Sequence, residues 1–338
     1  MKAYLTCLAG LLISIIVALS FGSSGISLLE VSQHLLLNMN GGAIASQTEL
    51  SSIIMFEIRL PRILVAGITG ASLAAAGVVS QGLFRNTLAS PSILGTTSGG
   101  SLVAASMFFY GSAFDHWYTL PIGAFLGAAT ATYILFLISK RFFGLQIQSL
   151  LLAGFALNAL LGACTSFVIS LMLEDQQKAA SVMHWMLGGF AARGMEHFYM
   201  VLPTFLIGIF LATNITHKLD ILALGEEKAQ TLNVNMKVLW HISIVCIALL
   251  VGGSVAVAGA IPFVGLVVPH MTRLVFGPKH RNLLWLSAIN GASLILLMDL
   301  LARTLMAPKE IEVGVLISLF GAPFFIWLLL SYKEGVRN

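Results

Sequence analysis

The chain has 338 residues, of which 58% are hydrophobic and only 9% charged, against about 25% charged in an ordinary soluble domain. Mean hydropathy is +0.94, which excludes a soluble globular fold and predicts an all-α polytopic membrane bundle. The formal charge of +4 lies on Lys and Arg between apolar runs, where membrane topology uses it. It is therefore no sign of nucleic-acid binding.

Spans need about 20 mostly apolar residues. In chain order the apolar runs predict ten, at 4–21, 62–84, 93–110, 119–139, 148–173, 198–215, 238–258, 260–276, 283–303 and 311–331. The first, Ala3–Ser20 after Lys2, fits a retained span or a signal peptide cut near Ala18–Ser20. Its length exceeds the about 7–15 residues of a signal core, which favours retention. The eighth is short and carries Pro262 and Pro269, so a broken or partial span is expected there. The whole of 1–338 reads as one transmembrane domain, with 220–235 as a hydrophilic insert.

Placing the N-terminus in the cytoplasm puts twelve of the 18 Lys and Arg residues inside, and both termini with them. Arg59, Arg62, Lys178, Arg193, Arg303 and Lys309 then lie outside. Small residues recur every fourth position at Ala66, Gly70 and Ala74, at Gly123, Gly127 and Ala131, and at Gly252, Ala256 and Ala260. Such faces let helices pack closely in lipid; pore lining is the alternative. Ala74–Pro91 and Ala256–His270 echo each other weakly, and their preceding spans run in opposite directions, as in an inverted repeat.

The segment Asp220–Asn235, DILALGEEKAQTLNVN, is a mixed-charge helix pattern in an oily chain. Leu222, Leu224, Ala229 and Leu232 are expected to form one apolar stripe beside Glu226, Glu227 and Lys228. A membrane protein has reason to keep such a piece if a soluble partner grips it.

Catalytic and coupling motifs are missing. The sequence has no GxxxxGKS/T and no Gly-Lys pair, so it cannot cradle nucleotide phosphates in the P-loop manner. HExxH and GxSxG are absent too, and the eight histidines show no ligand spacing. His184 and His197 can approach each other, but loop or interface roles account for them. Cys7, Cys164 and Cys246 stand singly in apolar runs and read as structural thiols. An ion-coupled carrier needs ionisable groups near the midplane. The deepest, Asp299, has Arg303 one turn away, and an ion pair between them is the expected account. Arg59 and Arg62 open the second span. Docking of a partner's carboxylates and headgroup anchoring are both open for them. Asn86–Pro91 at the other end of that span is a turn or an inner constriction.

Several long runs carry a resemblance. They are RLPR (59–62), GASLAAAGVVSQGLFRNTLASPSILG (70–95), LLLAG (150–154), LGEEKAQTL (224–232), GAIPFVGLVVPHMTR (259–273) and EIEVGVLISLFGAPFFIWLL (310–329). In that order they resemble the FecCD-type permeases of ABC importers for ferric siderophores, haem and cobalamin. The resemblance implies a ten-span subunit of a homodimer, or of a heterodimer with a paralogue, around a central pathway in a bacterial or archaeal inner membrane. It implies two cytoplasmic ATPases, which alone bind ATP and Mg, with no cofactor on this chain, and a periplasmic or lipoprotein substrate-binding protein. Leu224, Gly225, Glu226, Glu227, Ala229 and Leu232 correspond to the ATPase-coupling helix. Arg59, Arg62 and Arg303 correspond to binding-protein docking positions, and Asn86, Leu88, Gln146, Ile147 and Gln148 to gates.

Three positions depart from the family pattern. Thr87 stands in place of a proline, which is expected to loosen the gate corner. Asn233 stands in place of a glycine, whose left-handed conformation Asn tolerates. Glu312 stands in place of a proline, and is expected near Arg303. The expected cargo is a metal chelate, with an oxyanion such as molybdate as an alternative. An ion-coupled secondary carrier is the alternative of another class.

Overall fold

The computed structural model describes residues 2–22, 53–143 and 147–335. They form an all-helical bundle. Helix α1 is Lys2–Ser20, and a π-helical turn Ile54–Arg59 runs without a break into α2, Leu60–Leu83. A short 3₁₀ turn, Pro91–Leu94, precedes α3, Thr96–Tyr110. Then come α4 (Thr119–Phe143), α5 (Ile147–Ser170), α6 (Gln176–Leu187) and α7 (Met195–Leu222). The six-residue α8 (Glu226–Thr231) leads to α9 (Met236–Ala258), α10 (Val264–Phe276), α11 (His280–Thr304) and α12 (Val313–Gly335).

Each of the ten expected spans has its helix. Among the described residues, seven helices are long and apolar enough to cross a membrane. The eighth span is the 13-residue α10, which follows an irregular stretch holding Pro262, as its prolines lead one to expect. Two elements differ from expectation. The second span starts at Ile54 rather than at Arg62, which brings Arg59 and Arg62 inside a helix. Helix α6 was not anticipated, because its 12 residues are too short for a span; its start is capped by Asp175, whose side chain accepts from the Lys178 N–H at 3.2 Å.

Helix α2 is the axis of the bundle, buried all round from Thr69 to Leu83 and packed by α7, α9, α10 and α11. A helix apolar on every face can only be stable there. Glycines set the closest crossings: a methyl on Gly70 would collide with the Gly291 carbonyl of α11, and one on Gly77 with the Gly265 carbonyl of α10. The small-residue faces are thus packing faces. Helix α1 packs along α11, with the Tyr4 hydroxyl donating to Asn282 Oδ1 at 3.2 Å near its start. By contrast, α5 exposes Leu152, Phe155, Leu160 and Phe167.

Candidate functional site

Three regions hold the residues singled out by the sequence. They lie at the two ends of the bundle and in a cavity between them. The 25 residues of α11 separate the ends by roughly 35–40 Å at about 1.5 Å per residue.

At one end, Arg59, Arg62 and Arg303 converge, but none is displayed. They are 3%, 8% and 4% exposed. Arg62 Nε donates to both oxygens of Asp299 at 3.0 and 3.1 Å, and Nη2 to Oδ1 at 2.8 Å. Its Nη1 donates to Glu310 Oε1 at 3.1 Å, and its Nη2 lies 2.9 Å from Glu310 Oε2. Arg303 Nε stands 3.7 Å from Asp299 Oδ2, so the expected i,i+4 pair exists but is secondary; the main partner of Asp299 is Arg62, 237 residues away. Arg303 Nη2 donates to the Ala18 carbonyl, and Arg59 Nη1 donates to the Leu19 carbonyl at 2.8 Å. These are last-turn carbonyls of α1, which lack helical partners and carry the negative end of the helix dipole. Glu312 does not approach Arg303 as expected. It bonds His184 Nδ1 at 3.0 Å, and the carboxylate that joins the arginine cluster is Glu310, on Arg62. His184 and His197 do not pair with each other: His197 Nδ1 lies 3.2 Å from Glu196 Oε1.

At the other end is the knuckle between α7 and α9. Gly225, at φ +115°, makes a turn that a side chain would strain, and α8 begins directly after it. Asn233, at φ +58°, is left-handed, and the Val234 N–H closes back on the Ala229 carbonyl at 2.9 Å. The single apolar stripe is not what forms. Leu222 and Ala229 are buried against the bundle, whereas Leu224 and Leu232 are 61% and 56% exposed. The turn at Gly225 and the short helix throw them to the other side. Glu226, Glu227 and Lys228 are exposed with them. The stem is anchored: Asp220 Oδ1 accepts from His280 Nδ1 at 2.6 Å and from the His280 backbone N–H at 2.9 Å, tying α7 to the start of α11.

The corner expected to act as a gate lies at this same end. Asn86 is exposed, and its Oδ1 accepts from the Leu88 N–H at 2.9 Å. That bond closes the turn without the proline that Thr87 replaces. Leu88 is half-buried. Gln146 lies outside the described residues, and Ile147 and Gln148 belong to the first turn of α5.

Between the ends a cavity of about 660 Å³ opens, walled by Ser90–Ile93, by α3 and α5, and by Ala260–Phe263. Ser98 Oγ donates to Asn158 Oδ1 at 2.6 Å, and Asn158 Nδ2 donates to the Ile93 carbonyl at 3.2 Å. Hydroxyls of Ser90, Ser92, Thr97 and Ser318 join them in the wall, and among the described residues no lining one is charged. Phe263, at φ +63°, separates this cavity from a second apolar one of about 240 Å³. A bulky residue in that conformation is strained and is held by its surroundings. Sequence reading passed over Asn158, because one amide in an apolar helix has no local pattern to mark it.

A family model described as the FecCD transport family matches residues 10–331. The uncharacterized ABC transporter permease protein YvrB of Bacillus subtilis (strain 168) is 37% identical over 339 residues, covering 99% of this chain and 95% of that protein. The hemin transport system permease protein of Yersinia pestis is 37% identical over 332 residues, 96% of each. Among solved structures, an inward-facing conformation of a metal-chelate type ABC transporter superposes with a TM-score of 0.85 at 31% identity, covering 98% of this chain and 99% of that one.

Proposed function

The chain belongs to the FecCD transport family, and from that premise we propose that it is the membrane-spanning half of an ATP-driven importer that moves a metal chelate into the cell. It is a multi-pass membrane protein and a permease. The observation that carries the energy-coupling part is the knuckle: Leu224 and Leu232 exposed beside Glu226 and Glu227, on a stem pinned to α11 through Asp220 and His280. Apolar anchors rimmed by charge are the composition of a protein interface. An ATPase seated there would move α7, α9 and α11 as rigid elements and alternate the access of the cavity between the two sides.

On this reading the knuckle and both termini face the cytoplasm, and the arginine end faces outward in a bacterial or archaeal inner membrane. Two ATPase subunits hold the ATP and Mg, and this chain contributes no catalytic step and binds no cofactor. The exposed apolar face of α5 is the surface that a second permease copy would cover to complete the pathway. Asn86 and Leu88, with Gln146, Ile147 and Gln148, gate its inner end. Arg59, Arg62 and Arg303 frame the face on which a binding protein lands. Glu310, its side chain 36% exposed, is the partner a docking carboxylate would displace from Arg62.

The cavity supports a chelate over a free oxyanion. Its about 660 Å³ falls in the range of small-molecule sites. Its wall of hydroxyls, one amide and apolar groups offers no cation to a bare dianion, while matching a bulky molecule that carries its own oxygen-rich shell.

The test is uptake by proteoliposomes holding the permease and its ATPase subunits. Import is expected to require ATP and the binding protein, with no ATP hydrolysis by the permease alone. Uptake that survives ATP depletion and collapses with an uncoupler would establish a secondary carrier instead. Labelling a cysteine placed at Glu227 by an impermeant reagent in intact cells would put the knuckle outside and end the proposal.

A further inference from the structure

Arg193 differs from the other arginines at its end of the bundle. It sits in the short connection between α6 and α7, just after Ala192, which holds the left-handed conformation at φ +54°. Two cavities meet at its side chain, one of about 220 Å³ shared with Glu57, Arg62 and Glu196, the other of about 350 Å³ shared with His184 and Glu312. Neither shares a lining residue with the large central cavity.

Its Nε is fully buried and has no hydrogen-bond partner among the described residues. Three glutamates line those cavities: Glu312 holds His184 at 3.0 Å, Glu196 lies 3.2 Å from His197 Nδ1, and Glu57 is exposed. Burial pushes the Arg193 guanidinium below its ordinary range, and the pull of Glu312 and then Glu196 does not make up for it. A buried N–H without an acceptor is costly. Arg59, Arg62 and Arg303 each donate to an oxygen of the chain, whereas Arg193 has no such bond among the described residues.

We propose that Arg193 is a receptor site for a carboxylate presented by the docked substrate-binding protein, completed only when that protein is seated. The proposal rests on the importer reading given above. A protein side chain suits the site better than cargo does. The two flanking cavities are small and separate from the pathway, and the three glutamates lining them would repel a diffusible polyanion while tolerating one carboxylate delivered on a rigid surface. The planar fork of Arg193 fits such a group bidentately.

The experiment uses the complete permease–ATPase complex in nanodiscs, titrated with the substrate-binding protein that supplies it, for wild type, Arg193→Met and Arg193→Lys. Losing a charge-assisted bond is expected to weaken capture by about ten- to a hundredfold. The slope of affinity against salt should flatten in Arg193→Met, and Arg193→Lys should recover part of both. Equal capture by wild type and Arg193→Met overturns the inference while leaving the importer reading intact. Weakened capture that Arg193→Lys does not recover, with a lowered melting temperature, assigns Arg193 a packing role and also overturns it. Citrate or acetate stabilising wild type but not Arg193→Met, with capture equal in both, makes the site one for free anions and again defeats the proposal. No capture by wild type itself would sink the importer reading and this inference together.

Discussion

The two ends of the bundle use charge in opposite ways. At the arginine end, Arg62, Asp299 and Arg303 are almost wholly removed from solvent and bonded to one another or to the end of α1. At the knuckle, Glu226, Glu227 and Lys228 stand in solvent beside two exposed leucines. The sequence gives both the same appearance, a few charged residues at the edge of an apolar run. The difference is whether distant parts of the chain supply the counter-charge. Where they do, charge holds the fold together; where they do not, it remains free for a partner.

That contrast breaks most visibly at Arg62. Arg62→Met leaves Asp299 buried with only the longer contact to Arg303, and removing one partner of a buried pair costs about 3–5 kcal/mol. A large drop in melting temperature and in folded yield is expected in detergent. A melting temperature within a degree or two of wild type would mean that the network is dispensable and that Arg62 is kept for something else.

Asn233→Val tests the knuckle's own geometry. The left-handed position disfavours a β-branched residue by about 1–2 kcal/mol. A modest loss of stability should appear, accompanied by weaker ATPase retention, because the Val234 N–H can no longer close back on the Ala229 carbonyl. Asn233→Gly should keep both.

The smallest expected change in stability sharpens the comparison most. Glu226→Lys with Glu227→Lys should leave the melting temperature nearly unaltered, since exposed substitutions stay within about 0.5 kcal/mol. Co-purification of the ATPase subunits should nevertheless be lost. Full recovery of ATPase with the double variant would show that the knuckle is not the coupling surface. At the other end, Arg59→Glu puts a carboxylate against the Leu19 carbonyl and should loosen α1. Faster protease cleavage ahead of residue 53, with the rest of the bundle intact, is the readout.

Much of this was legible in local sequence. Apolar run length marks the spans because a helix must satisfy its backbone internally in lipid. Pro262 and Pro269 marked the short α10, and Asn233 marked a left-handed residue. The errors share a cause. The apolar stripe of the knuckle failed because α7 ends at Leu222 and Gly225 turns the chain after Leu224, so no helical period joins the two leucines to α8. The placing of Glu312 beside Arg303 failed because proximity in a helical bundle follows helix ends, not sequence distance: Glu312 reaches His184, and Glu310 reaches Arg62. Asn158 and Arg193 carried no periodic signal at all.

The amino-acid order alone settled that the chain crosses a membrane repeatedly as helices, and its motifs placed it in a transport family. Both follow from short-range rules: hydropathy over a turn or two and the identity of contiguous runs. Which arginines are bonded and which is left waiting was decided only by the packed bundle. A guanidinium takes whichever oxygen lies nearest in space, and Arg62 finds that oxygen 237 residues along the chain.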